Sequence, residues 1–405
     1  MSLKDLADRV DSVLNDQGST TWTVDDESER KRMLALCERL RDRLELPFEK
    51  TLRILFAGHQ TMGLRLAVDM KVFDAAAHLS AQGEPVSLAS LASETGVDGL
   101  LLRRIMRMLV AMRLFEEPAA ESYVPLAMAS AYLSQSPLSA VTIHVSHFYT
   151  ILAQLPEYFA EKGWKNPNDV YDGPFQYAMH TKEHYFNFLA SKPYYQEAFN
   201  TVMTLSHRRR GQNWFSFFPV EEKLQVHDLS RVVMVDVGGS QGGDITAFHD
   251  AFPALVGKLV LQDLPGVIEG CKQLPDGIEA MGYDFFDPQP VKGAKAYYLR
   301  TVLHDWPNKQ AVQILKRVRE AMAPDSLLLI NETILPDCNV ALSSAQADLT
   351  MMVSFASLER TQEQFEEILE DAGFELSRVW VPQGFESNAA ALAEQATLLE
   401  ARLKQ

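Results

Sequence analysis

The sequence predicts an open, doubly wound α/β sheet in the C-terminal half, preceded by an all-α segment of winged-helix layout. Three observations carry this. Past residue 228, apolar runs of strand length alternate with helical patterns. The first of those runs ends in a glycine-rich turn. Between 51 and about 133 the chain is dense in apolar helices, two of them separated by a glycine turn and followed by two short extended pieces.

Composition narrows the partners. With 405 residues, 47% hydrophobic and 23% charged, the chain is long enough for two or three domains with buried cores. The 38 Lys and Arg against 54 Asp and Glu leave a net charge of −16, which phosphate backbones and anionic membranes repel unless one patch is locally basic. Neither a nucleic-acid nor a membrane partner is therefore expected. No run approaches the roughly 18 apolar residues of a membrane span. The start MSLKDLADRVDSVLND lacks the apolar stretch of a secretory signal. Cys37, Cys271 and Cys338 are odd in number and far apart, which fits neither a disulfide framework nor a cysteine-based zinc site. The expected compartment is the cytoplasm.

Residues 1–50 read as an N-terminal helical arm, with Met33, Leu34, Cys37, Leu40 and Leu44 at helical spacing. Residues 51–135 read as the winged-helix segment. There Gly96 permits the turn and Asp98 caps a helix whose apolar face is Leu101, Leu102, Ile105, Met106, Leu109 and Met112. The extended pieces are Arg113–Glu116 and Ser122–Pro125. Such a segment could bind DNA through Arg103, Arg104 and Arg107, or serve only for packing and dimerisation. The acidic balance, and Met and Leu where base-reading polar residues belong, favour the second. Residues 136–215 continue as helices rich in aromatics and His, placed as pocket walls.

From 216 to 405 comes the sheet domain. Its strands are expected at Val232–Val237, Gly257–Gln262, Ala296–Leu299, Ser326–Asn331 and Leu376–Val381, with helices such as Lys309–Ala323 and Thr361–Ala372 between them. A closing strand is expected at Ala396–Leu403, where a helix is the rival reading.

The first strand runs from Val233 through Asp236 into Gly238-Gly239-Ser240-Gln241-Gly242-Gly243-Asp244. Glycines at such a turn let a ligand approach the backbone and can aim amide N–H groups at it. The second strand ends at Asp263, 25 residues after Gly238, where a carboxylate can accept from both ribose hydroxyls. The spacing is D-x-G-x-x-x-G rather than G-x-G-x-x-G, which suits a ligand without pyrophosphate; a tight turn with no ligand is the bland alternative. Asp284 and Phe285, at the third strand end, could take an exocyclic amino group and stack on a purine.

The fourth strand leads into Arg300-Thr301-Val302-Leu303-His304-Asp305-Trp306. Chemistry in open α/β sheets sits at the carboxyl ends of strands, so His304 falls beside the ligand. A neutral imidazole there can take a proton from a hydroxyl near pH 7. Its other nitrogen needs an acceptor, for which Glu332 and Glu359 are the candidates. A histidine packed in the core is the alternative. His180 with His184 and His144 with His147 could each share a helix face, but no carboxylate or Cys completes a metal motif, and no metal is expected.

On the segments VDVGGSQGGD, LQDLPGVIE, YDFF, LRTVLHDW, INETILP and LERTQEQFEEIL, in that order, the chain resembles S-adenosylmethionine-dependent O-methyltransferases. The resemblance is to the plant caffeate/flavonoid type in its fungal secondary-metabolism version, and covers roughly residues 51–405. It implies a Rossmann-like methyltransferase sheet and a winged-helix domain that dimerises. It implies that Asp236, Gly238 and Gly239 surround the methionine part of the cofactor, Asp263 and Leu264 the ribose, and Asp284 and Phe285 the adenine. Arg300 is implied to contact the ligand where plant members usually have Lys. His304 is implied as the base, flanked by Glu332 and Glu359 and followed, as in the family, by Asp305, which is grouped with the acceptor contacts. Tyr195, Phe199 and Met203 match one wall of the acceptor pocket, and Thr350, Met351 and Phe355 the opposite one; simple core packing is the rival reading for all six.

The reaction so implied is methyl transfer to a hydroxyl, most simply phenolic, of an aromatic or polyketide metabolite. Two alternatives stand beside it. Some fungal members of this family act as pericyclases or dehydratases, binding the sulfonium without transferring methyl. A winged-helix regulator using the α/β domain as a metabolite sensor is the non-enzymatic reading. The chain departs from the family at Ser240, where many members have Gly, at the Ala-rich stretch Gly384–Gln395, and in its first 50 residues, which could exchange between subunits over the partner's pocket.

Overall fold

The computed structural model describes residues 2–15, 27–80, 83–209, 212–255, 257–271, 274–382 and 397–404. The stretch 384–395 lies outside them. The chain divides into two units, one ending at Met62 and one running from Gly63 onward.

The first unit is helical, with helices at Leu3–Asn15, Glu27–Leu44 and Pro47–Leu55. Met33, Leu34, Leu40 and Leu44, the residues at helical spacing, are all exposed within the chain.

In the second unit, helices Leu88–Thr95 and Gly99–Ala111 form the expected helix–turn–helix. Gly96, at φ +70°, closes the first in the left-handed conformation that favours glycine. The Asp98 carboxylate accepts from the amides of Leu100 and Leu101 at 3.0 and 2.9 Å and so caps the second. Leu102, Ile105, Met106 and Leu109 bury as a core-facing stripe, whereas Leu101 stays 43% exposed, one position off the face. The wing comprises β1 (Val86–Ser87), β2 (Phe115–Ala119) and β3 (Ser122–Pro125), ordered β1-β3-β2 and antiparallel. β2 begins two residues later than expected, because Arg113 takes φ +57° to end the helix before extended backbone can start. Arg103 is ion-paired with Glu121 of the hairpin turn.

The main sheet holds β4 (Val232–Val237), β5 (Lys258–Asp263), β6 (Ile278–Gly282), β7 (Ala296–Arg300), β8 (Leu327–Glu332), β9 (Phe374–Trp380) and β10 (Thr397–Leu403). Its order is β6-β5-β4-β7-β8-β10-β9; β4 through β8 pair in parallel and β10 runs antiparallel to both neighbours. The closing segment is therefore a strand, not a helix. Both faces are buried, as parallel sheets require. Val235, Val237, Val260, Tyr297, Leu299, Leu328 and Ile330 face one core, and Met234, Leu259, Leu261, Tyr298, Leu327 and Leu329 the other. The first core also takes in Phe148, Phe175, Tyr185 and Leu189, so aromatic helices of 136–215 pack on that face of the sheet. Connections from β4 run one way through β5 to β6, and β7 and β8 lie on its other side. The order thus reverses between β4 and β7, where open sheets leave a crevice.

Candidate active site

At the carboxyl end of β4 the glycine turn is held by the chain itself. The amides of Gly238 and Gly239 both donate to the Gln262 carbonyl at 2.8 and 3.0 Å, and Ser240 N–H donates to Asp263 Oδ2 at 2.8 Å. Those three amides therefore close the turn rather than offering themselves to a ligand, a correction to what a glycine-rich loop suggests. The glycines are needed for room. A Cβ on Gly239 would come within 2.5 Å of Asp236 Oδ2 and of Leu261 Cδ1, and one on Gly238 within 2.9 Å of Val302. Ser240, in place of the usual Gly, sits at φ +51° and carries the strain of that conformation.

Asp263 accepts from Ser240 N–H and, at 2.7 Å through its other oxygen, from Leu264 N–H. It remains only partly buried, with lone pairs left for hydroxyl donors, beside the half-exposed Leu264 side chain. Asp284 is exposed just past β6, and Phe285 stands edge-on to Trp306 with ring centroids 5.6 Å apart. Asp236 is different. It is buried, and its Oδ2 has no hydrogen-bond partner among the described residues. Burial, then the charge of Asp244, push its carboxyl well above the usual carboxylate range. Arg300 pairs with Asp244, which also accepts the Tyr298 hydroxyl at 3.0 Å. These residues fit an adenosyl ligand: Asp263 keeps acceptor capacity at the end of β5, and Phe285 presents a ring just past β6.

His304 rides on the short helical turn Leu303–Asp305 that follows β7. Its Nδ1 lies 3.1 Å from Glu359 Oε1, and its Nε2 3.5 Å from Asp305 Oδ1. Glu332, buried at the end of β8, accepts the backbone N–H of Leu303 at 3.0 Å and of His304 at 3.4 Å. Of the two carboxylates proposed as orienting acceptors, Glu359 takes the ring and Glu332 takes the backbone. Asp305, grouped above with the acceptor contacts, stands beside the imidazole.

Sequence reading overlooked what holds this turn. Arg360 is wholly buried and donates to Leu303 O at 2.7 Å, Trp306 O at 2.8 Å and Asn308 Oδ1 at 2.8 Å. Ser357 Oγ donates to His304 O at 2.6 Å, and Asp348 accepts the amide of Glu359 at 2.9 Å. The segment LERT was in view; that its Arg would be buried 52 to 57 residues from its partners has no local signature.

Electrostatics revise the expected neutral imidazole. Burial depresses its affinity for a proton, but Asp305, Glu332 and the hydrogen bond and charge of Glu359 outweigh that and push His304 up to about 10. Without ligand the ring is an imidazolium at pH 7. The same enclosure acts on Arg360, whose pKa burial brings down to about 10 against the pull of Glu332 and Glu359.

Tyr195, Phe199 and Met203 lie half-buried on helix Pro193–Arg209, with Thr350 and Met351 half-buried on helix Leu342–Phe355. Phe355, at the end of the same helix, is buried and packed on Tyr185, Phe186 and His184. His144 and His147 share helix Pro137–His147, His144 packing on Phe199 at 5.6 Å and His147 on Tyr195 at 4.4 Å. His180 and His184 do not share a helix: His180 ends Pro174–Met179 and His184 caps Tyr185–Ala190. Burial holds His144, His147 and His184 down to about 4, so all three are neutral.

A reversing parallel sheet, an aspartate at the second strand end, and a carboxylate-held histidine after the fourth define a nucleoside-binding group-transfer enzyme. Residues 179–375 match the O-methyltransferase domain and residues 52–135 the O-methyltransferase dimerisation domain. The O-methyltransferase penC of Penicillium thymicola is 34% identical over 358 residues, 88% of either chain. LepI, solved as a complex with S-adenosylmethionine (SAM), superposes with a TM-score of 0.79 at 27% identity over 100% of both chains. A solved chain described as a pericyclic reaction enzyme gives the same TM-score and identity over 99% of this chain and 100% of that one. The chain belongs to the O-methyltransferase family.

Proposed function

We propose that the chain transfers the methyl group of S-adenosylmethionine to a phenolic hydroxyl of an aromatic or polyketide metabolite, with His304 as general base. The cofactor supplies an activated methyl on sulfur, so the protein's task is to bind, to align and to take a proton. Gly238, Gly239 and Asp236 bound the methionine portion, Asp263 and Leu264 the ribose, Asp284 and Phe285 the adenine, and Arg300 the ligand's flank. Tyr195, Phe199, Met203, Thr350 and Met351 hold the acceptor.

The observation that carries this reading is the His304–Glu359 contact at the strand end next to the sheet's reversal point. Glu359 holds Nδ1, so Nε2, beside Asp305, is the nitrogen that receives the hydroxyl proton once the ring has given up its own. A phenol near pKa 10 and an imidazolium near 10 exchange a proton almost without cost. At pH 7 the ring must first release its own proton, at about 4 kcal/mol for a group near 10, so activity should rise with pH. Assembly as a homodimer through the winged-helix domain and the apolar face of the arm is part of the proposal, as is a cytoplasmic setting. No helix among the described residues is long and apolar enough to cross a membrane.

A second reading has one observation in its favour. A protonated His304 donates from both ring nitrogens and can act as a general acid, which suits the pericyclase or dehydratase alternative. The test is to supply SAM with a panel of hydroxylated aromatics and quantify S-adenosylhomocysteine against product. One equivalent of thioether per methylated product supports methyl transfer; product formed with SAM unconsumed overturns it.

A further inference from the structure

His184 is 5% exposed and caps helix Tyr185–Ala190 by accepting the Phe186 amide at Nδ1, 3.2 Å away. Burial keeps the ring neutral. A neutral imidazole that accepts at Nδ1 carries its proton on Nε2. That Nε2–H is buried and has no hydrogen-bond partner among the described residues. An orphaned buried donor of this kind is costly unless something absent from the chain completes it.

Its surroundings say what that is. The ring stacks on Trp306 at 5.0 Å and 12°, two residues beyond His304. It also packs against Phe186 at 5.1 Å, Phe355 at 5.8 Å and Tyr171 at 6.0 Å. Phe186 in turn meets Phe199 of the acceptor wall at 5.8 Å. The same ring network contains two more buried polar atoms without partners, His147 Nε2 and Tyr185 OH. A hydroxyl placed against His184 could accept from it, but its own proton would face aromatic rings. A carbonyl oxygen accepts and brings no donor of its own. We propose that His184 Nε2–H donates to a carbonyl oxygen of the acceptor molecule, so that the enzyme selects hydroxylated aryl ketones or quinones over the matching hydroxylated hydrocarbons.

This rests on the methyl-transfer reading only for where the reacting hydroxyl lies, so the test reads binding without turnover. Tryptophan-fluorescence titrations with 1-hydroxyanthraquinone and 1-hydroxyanthracene, in the presence of S-adenosylhomocysteine, give a preference ratio. The wild type should favour the quinone by about tenfold to a hundredfold, the worth of one uncompensated buried hydrogen bond. His184→Phe keeps the stacked ring and removes the donor; His184→Asn keeps a good helix cap and withdraws the donor from that position. Both should bring the ratio near one while leaving hydroxyanthracene affinity unchanged. A wild type without preference, or either folded variant retaining the wild-type ratio, overturns the proposal. Thioether formation from SAM is scored separately: a lost ratio without thioether upholds the carbonyl subsite and removes methyl transfer, and an unmoved ratio with thioether does the reverse.

Discussion

Replacing Glu359 with Gln tests how the imidazole is tuned. The substitution keeps an oxygen within reach of His304 Nδ1, now 3.1 Å from Glu359 Oε1, and removes the charge. A hydrogen bond to an ionised partner is worth about 1.5–3 kcal/mol. At about 1.36 kcal/mol per pH unit that is roughly one to two units. The His304 midpoint should fall from about 10 by that amount, Asp305 and Glu332 keeping it above an ordinary histidine. The assay is a ring-nitrogen and ring-carbon NMR titration of histidine-labelled protein, with the His304 signals identified by their loss in His304→Gln. A wild-type midpoint near 6.5, or a Glu359→Gln midpoint equal to that of the wild type, would refute the reasoning. The sign for activity follows. Only the unprotonated ring accepts a proton, so kcat/KM of the wild type should climb with pH through the neutral range, and the Glu359→Gln climb should level off at lower pH.

Stability should respond in the opposite sense. The folded pKa of His304 lies above its unfolded value of about 6.5, so its contribution is complete below that pH and is lost as pH rises through about 10. Chemical denaturation at successive pH values should show that loss in the wild type and not in His304→Gln. Arg360→Met removes the donors to Leu303 O, Trp306 O and Asn308, leaving buried acceptors unsatisfied; urea unfolding should register a loss of about 3–5 kcal/mol. Gly239→Ala forces a methyl to within 2.5 Å of Asp236 and Leu261; calorimetry should show a strong loss of S-adenosylhomocysteine binding, together with about 1–3 kcal/mol of stability. Asp263→Asn should weaken that binding by roughly tenfold to a hundredfold, the scale of hydrogen bonds to a charged acceptor.

Much of the sheet was legible because buried parallel strands read as unbroken apolar runs. β4 begins and ends where Val232–Val237 predicts, and β5, β7 and β8 fall within a residue of the reading. The helix–turn–helix was legible for the same kind of reason, since Asp98 and Gly96 act through local backbone chemistry. Where a single backbone torsion intervenes, as at Arg113, the boundary moved. The candidate site was legible as a set of residue types at strand ends, but its electrostatic state was not. That His304 would be an imidazolium depends on three carboxylates brought together from positions 305, 332 and 359. The burial of Arg360, the use of the glycine-turn amides by Gln262 and Asp263, and the caps that separate His180 from His184 arise likewise from contacts that no sequence period records.

The central claim, that His304 removes the proton while other residues hold the cofactor, is tested most directly by His304→Ala. Steady-state turnover and calorimetric binding of S-adenosylhomocysteine would be measured side by side. The account predicts that turnover falls by about a hundredfold or more while cofactor affinity stays within about twofold of the wild type. Turnover at the wild-type rate would contradict it.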